Sequence, residues 1–192
     1  MHHYHLIHSS HIDQIVAQWK SDKIALYPTD TLWGIWSTIS AHNILRIKHI
    51  KSRSADKLFM SIIAPSRSRI EQHGRCVDIK LLQQQFELYQ WVTYIIPLQT
   101  TYVSRYQSVG LTADDTIWVR ICNHPIQDIV ARLWEPIIST SANISGQTNP
   151  LSYDDINPEI AHQVDFYIIW ELLYAKPSTL INTLTGGIIM RS

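Results

Sequence analysis

Three segments of this chain carry residue types suited to binding anions and hydroxyl compounds. The first, Tyr27-Pro28-Thr29-Asp30-Thr31, ends an apolar run and turns through two hydroxyls and one carboxylate. Pro, Thr and Asp also favour turns for local reasons, so an ordinary turn is the plain alternative. The second is Lys51-Ser52-Arg53 with Lys57 at the end of a helical pattern. Lys51 and Arg53 make a phosphate clamp, one a point charge and the other a planar fork. Cations there also complement a helix dipole, which leaves a structural role open. The third, Ser139-Thr140-Ser141-Ala142-Asn143-Ile144-Ser145-Gly146, leaves an apolar strand as a hydroxyl- and amide-rich loop. Such a loop binds a nucleotide or satisfies its own backbone.

Short apolar runs alternating with amphipathic helical patterns must position these segments. Strands are predicted at Tyr4 to Ile7, Ile24 to Tyr27, Leu32 to Trp36, Leu58 to Ile63, Val92 to Ile96, Thr116 to Ile121 and Pro136 to Thr140. Three apolar runs follow at Phe166 to Trp170, Thr179 to Ile181 and Ile188 to Met190. Helices are predicted after Ser9 or Ser10, carrying Ile12, Ile15, Val16 and Trp19, and after a Ser40 cap, carrying Ile44, Ile47 and Ile50. Further helices cover Ser66 to His73, Val77 to Tyr89, Pro125 to about Leu133 and Asp154 to His162. Strands alternating with helices predict one α/β domain over residues 1–192, with a sheet that is at least partly parallel. Ligands of such sheets bind beyond the strand ends, where the three polar segments lie.

The 192 residues include 45% hydrophobic and 17% charged residues, a composition that excludes a disordered chain. Sixteen basic and sixteen acidic residues balance, so no global field draws the chain onto nucleic acid. No apolar run approaches the ~20 residues that span a bilayer, and no signal-peptide pattern opens the chain. A cytoplasmic location without membrane contact is the expectation. Cys76 and Cys122 stand in unrelated segments and form no CxxC pair. His2, His3, His5, His8 and His11 read as solvated histidines, and no metal-ligand set is assigned.

The order of the motifs adds what none carries alone. PTDT, then KxR with a further Lys, then STSANxSG, then Lys176-Pro177-Ser178-Thr179 resembles the YrdC/TsaC family of threonylcarbamoyl-adenylate synthases, from about Ile24 to Arg191. Val119-Arg120-Ile121-Cys122-Asn123-His124-Pro125 looks like that family's VRxxxHP stretch. The resemblance implies a twisted mixed sheet flanked by helices around a concave basic cavity. It implies a reaction in which L-threonine, bicarbonate and ATP yield threonylcarbamoyl-adenylate and pyrophosphate, for a tRNA modification. By motif, Lys51, Arg53, Ser141 and Asn143 match the core catalytic and ATP-binding set; Thr116 and Arg191 match further ATP contacts. Thr31, Arg120 and Ser178 match residues that hold threonine. Mg²⁺ is expected with ATP, a threonylcarbamoyl transferase complex as downstream partner, and only weak or indirect contact with tRNA. The substrate's own carbamate is the nucleophile, so motifs without a Ser/His/Asp or Cys/His arrangement suit the reaction.

The chain departs from the family's KGRPxxKPL at Ser52, Ser54 and Leu58, and from its WPGP turn at Leu88-Tyr89-Gln90-Trp91. Trp170 to Ala175 stands where relatives carry a glycine-rich loop, and Asn182 replaces an Asp. Only six glycines remain, which predicts tight turns rebuilt from larger residues. Ending near Arg191, the chain reads as the short form of the family. Alternatives are an RNA-binding module, a member using another acceptor (or the hydrogenase-maturation type of carbamoyl transfer), and an inactive assembly partner.

Overall fold

Apolar runs buried on both faces build a ten-stranded mixed sheet with helices packed on each side. The computed structural model describes residues 2–5, 9–54, 57, 60–75, 91–122, 124–170, 172, 174 and 176–189. The strands are β1 (His2–His5), β2 (Ala25–Pro28), β3 (Trp33–Thr38), β4 (Ser61–Ile63), β5 (Val92–Pro97), β6 (Thr116–Arg120), β7 (Ile137–Ser141), β8 (Phe166–Ile169), β9 (Thr179–Asn182) and β10 (Ile188–Ile189). Described helices are α1 (Ser9–Lys20), α2 (Ala41–Ile50), α3 (Arg67–His73), α4 (Thr100–Ser108), α5 (Ile126–Leu133) and α6 (Pro158–Gln163). Across the sheet the order is β1-β8-β2-β3-β7-β4-β6-β5-β9-β10. β8 runs parallel to β1 and β2, β4 to β6, and β5 to β9; the other neighbours are antiparallel.

The two-residue period of each strand sorts its side chains. Ala25 and Tyr27, Trp36, Ile63 and Ile137 face a core shared with Ile15 and Trp19 of α1 and with Ile126, Ile129 and Val130 of α5. Leu26, Ile35, Ile62 and Ile138 face the opposite core, which takes in Ile44, Ile47 and Ile50 of α2 and Ile160 of α6. Gly34 is required by this packing: a Cβ there would stand 2.2 Å from Trp36 Nε1. No helix among the described residues is long and apolar enough to cross a membrane.

Ser40 caps α2 as expected, its hydroxyl accepting from the Asn43 amide at 3.1 Å. Three expectations change. β1 begins at His2, because its backbone ladder with β8 starts at His2 opposite Phe166 regardless of side-chain polarity. The helix predicted from Asp154 begins at Pro158: Asn157 caps it, while Asp155 closes a turn by accepting from the Leu151 and Ser152 amides. α4 was not foreseen; it buries Tyr106 and packs Tyr102 and Val103 beside it, an apolar face little more than one turn long. The predicted Val77 to Tyr89 helix, and Leu58 and Phe59 of the predicted fourth strand, lie outside the described residues.

Candidate functional site

The sheet registers bring the three polar segments together. Gly34 pairs with Ser141, and Ser61 pairs with both Ser139 and Trp118, so Gly34, the three serines and Trp118 bring four adjacent strands to one face. That face bounds a cavity of about 380 Å³. Its described lining holds Thr31, Arg53, Arg120, Ser141 and Ser178 of the expected set. Among the described residues, two arginines and no carboxylate line it, and hydroxyls predominate (Thr29, Thr31, Ser61, Thr93, Ser139, Thr140, Ser141 and Ser178). Both described charged residues of the lining are arginines set among hydroxyls, and Arg120 is ion-paired as follows.

Arg120 ends β6 and is buried. Its two terminal nitrogens donate to Asp30 Oδ1 at 2.6 Å and Thr31 Oγ1 at 2.8 Å. Burial works against the guanidinium charge, but Cys122 and the Asp30 carboxylate beside it hold its proton above the ordinary arginine range. Thr29 Oγ1 accepts from the amides of Thr31 and Leu32, which sets the turn that aims Asp30 and Thr31 at Arg120. The turn is thus an ordinary Thr-closed turn and also a cavity wall. Behind it, Tyr27 and His124 of the VRxxxHP stretch share a hydrogen bond between the phenol and Nδ1. Burial pushes the Tyr27 phenol well above its usual value, so it stays protonated.

The two cations of the KxR turn diverge. Lys51 is 2% exposed. Its ammonium donates to the Ser141 carbonyl, to the Asn143 carbonyl at 2.7 Å and to Asn143 Oδ1 at 3.0 Å. In return the Ser145 amide donates to the Lys51 carbonyl at 2.9 Å. Ser141 Oγ also donates to Asn143 Oδ1, at 2.6 Å. Burial, then the charge of Arg53, pulls the Lys51 ammonium down to about 7, while its three acceptors oppose that shift by taking all three of its protons. Lys51 is absent from the cavity lining and bolts the loop from beneath; the clamp expected of Lys51 and Arg53 together is divided between a loop bolt and a cavity cation. Arg53, half-buried, reaches the cavity and donates from Nε to the Lys57 carbonyl at 3.2 Å.

A Schellman motif delivers Arg53 there. The Ser52 amide donates to the His49 carbonyl and the Arg53 amide to the Lys48 carbonyl, both at 2.9 Å. Ser52 takes the left-handed position, φ 48°, that glycine usually fills in such an ending. Asp22 (57°), Trp91 (59°) and Trp134 (59°) are likewise left-handed, so turns in this glycine-poor chain are indeed built from larger residues.

Ser178 is buried in the cavity wall, its hydroxyl 2.6 Å from Thr93 Oγ1. Thr116 lies apart from the cavity lining: its hydroxyl and amide both donate to Asp114 Oδ1 in the turn that opens β6. Arg191 lies outside the described residues. Sequence reasoning missed Thr93, Ser61 and Asn149 as lining residues, and Asp30 as the counter-charge of Arg120. The signal for Thr93 and Ser61 was a polar residue within an otherwise apolar strand.

A mixed sheet with a hydroxyl-rich cavity at its strand ends, lined by Arg53 and Arg120, defines a site that holds and orients small polar or anionic ligands. A family model for the Sua5/YciO/YrdC proteins, described as telomere recombination, matches residues 17–192, and the chain belongs to that family. A Methanocaldococcus jannaschii protein is 30% identical over 83% of this chain and 74% of its own length. Threonylcarbamoyl-AMP synthase of Xanthomonas campestris pv. campestris is 28% identical, covering 95% of this chain and 98% of its own. Among solved structures, P. abyssi Sua5 complexed with L-threonine superposes with a TM-score of 0.82 at 21% identity, over 99% of this chain. This chain spans 56% of that one.

Proposed function

We infer that the chain is a threonylcarbamoyl-AMP synthase, forming threonylcarbamoyl-adenylate and pyrophosphate from L-threonine, bicarbonate and ATP. One observation carries the reading. Residues from five distant segments (Thr31, Arg53, Arg120, Ser141 and Ser178) converge on one cavity, and these are positions the family motifs assign to ATP and threonine. At about 380 Å³ the cavity stands at the small end of ligand sites, which run roughly 300–1,000 Å³. It fits the reacting groups, with the remainder of the nucleotide extending outside.

The chemistry asks for positioning and charge neutralisation. Threonine's amine takes up bicarbonate with loss of water. A carbamate oxygen then attacks the α-phosphorus of ATP, and the bond to pyrophosphate breaks. Arg53 neutralises phosphate charge. Lys51 acts through the Ser141–Asn143 loop, setting the hydroxyl of Ser141 toward the nucleotide. Thr31 and Ser178 offer hydroxyls to threonine. Arg120 already holds Asp30 and Thr31, so it orders the amino-acid side of the cavity as well as facing it. Mg²⁺ bound to the triphosphate would add charge neutralisation, and a lining of hydroxyls fits an ion held mainly by phosphate and water. A labile adenylate implies transfer to a downstream threonylcarbamoyl transferase, with tRNA contact made there.

The test is pyrophosphate release from ATP with purified protein, bicarbonate and Mg²⁺, comparing threonine, serine and no amino acid. Threonine-dependent release is expected. Folded protein that binds ATP yet releases no pyrophosphate with any amino acid would refute the reading.

A further inference from the structure

Two departures from the family pattern, far apart in sequence, meet in space. Trp91 stands where the WPGP turn would end, and Tyr174 where relatives carry a glycine-rich loop. Their rings stack face to face, centroids 3.9 Å apart with 8° between planes. Lys176 Nζ lies 5.8 Å from the Tyr174 ring centroid. Inward from this pair, the Thr179 amide donates to the Trp91 carbonyl at 3.1 Å. Deeper still, the Ser178 and Thr93 hydroxyls pair at 2.6 Å, and both residues line the cavity. Aromatic stack, backbone bond and hydroxyl pair thus join the same two segments from the rim to the cavity wall.

We propose that Trp91 and Tyr174 are positioning residues whose stack fixes Tyr174, and with it residues 176–179, against β5 and so sets the Ser178 hydroxyl in the cavity wall. Neither ring needs to touch substrate. A glycine-rich loop leaves such a wall free to sample many conformations, and ordering it then falls to the ligand. A stacked pair orders it beforehand. That the ordered wall serves threonine rests on the synthase reading above.

The experiment compares the wild-type chain with Trp91→Ala, Tyr174→Ala and Tyr174→Phe, reading steady-state kinetics and amide hydrogen exchange. Loss of the stack is expected to raise the KM for threonine about three- to tenfold, with kcat and the KM for ATP within about twofold. Tyr174→Phe, which keeps the ring, restores the wild-type KM. Exchange at the Thr179 amide quickens in both alanine variants and not in the phenylalanine variant. An unchanged threonine KM with unchanged Thr179 exchange overturns the proposal, as does an equal loss across kcat and both KM values. Should the wild-type chain show no threonine-dependent turnover, the synthase reading fails by itself. Thr179 exchange then decides alone: faster exchange in the alanine variants upholds the positioning role, and unchanged exchange removes it.

Discussion

Arg120 and Arg53 both reach the cavity, from regions built on different terms. Arg120 belongs to a floor in which each named partner is buried: Asp30 takes one terminal nitrogen, Thr31 the other, and Tyr27 with His124 backs the turn. Arg53 hangs from a rim turn closed by a serine in a glycine's conformation, half-buried, on a segment where the family's prolines have been replaced. The floor's geometry is fixed before any ligand arrives, because moving Arg120 strands a buried charge. The rim's geometry is held mainly by main-chain bonds and bears local strain. On the synthase reading proposed above, a site divided this way would put fixed geometry on the amino-acid side and latitude on the phosphate side.

Breaking the floor gives the largest expected effect. Arg120→Ala leaves Asp30 buried without its counter-charge and lowers the unfolding free energy by about 3–5 kcal/mol, read from urea denaturation. Asp30→Ala has a similar cost, while the double variant costs much less than the two singles together, since neither charge is then left alone. Additive losses would mean the pair is not the unit described.

The KxR turn sharpens the contrast within three residues. Lys51→Met removes the donor to three acceptors and is expected to cost at least about 1–3 kcal/mol as well as turnover. Arg53→Ala is expected to change stability by no more than about 0.5 kcal/mol while pyrophosphate release falls about a hundredfold or more. The pH dependence follows from the same burial. The Lys51 ammonium lies near 7 in the folded chain against 10.5 for the free side chain. Between those values the unfolded chain keeps a proton that the folded chain has released, so the part of stability due to Lys51 rises with pH. Denaturation midpoints of wild type relative to Lys51→Met should therefore climb from pH 6.5 to pH 9. A flat difference would show that the three acceptors keep Lys51 charged throughout.

Motif order carried the site into the sequence reading because polar residues at the ends of apolar strands are conspicuous. Thr31, Arg53, Arg120, Ser141 and Ser178 came through the family resemblance of those motifs, Arg53 from a helix end, and the structure gathers them on one cavity. The partnerships were not readable. Arg120 is joined to Asp30 across 90 residues, and the choice between a carboxylate partner and a ligand depends on strand register that local pattern does not contain. The direction of Lys51 was hidden for the same reason, since a helix-end cation has the same sequence signature whether it faces solvent, ligand or a loop beneath. α4 escaped because its apolar face, Tyr102, Val103 and Tyr106, is little more than one turn long and set among polar residues.

The smallest effect tests the rim directly. Ser52 occupies the left-handed position of the Schellman ending at φ 48°, and an L side chain there costs roughly 1–2 kcal/mol against its following carbonyl. Replacing it with glycine removes that cost but adds freedom to the unfolded chain, an offset of about 0.4–1 kcal/mol. Ser52→Gly should thus stabilise the chain by about 0.5–1 kcal/mol, a rise of a few degrees at most in melting temperature for a protein of this size. Turnover need not follow stability, because the same substitution loosens the turn that presents Arg53. If the melting temperature rises while the KM for ATP also rises, the serine is strain retained for the sake of cation placement. If both improve together, the serine is only drift, and the rim has simply tolerated a poorer residue at a position where the family carries glycine.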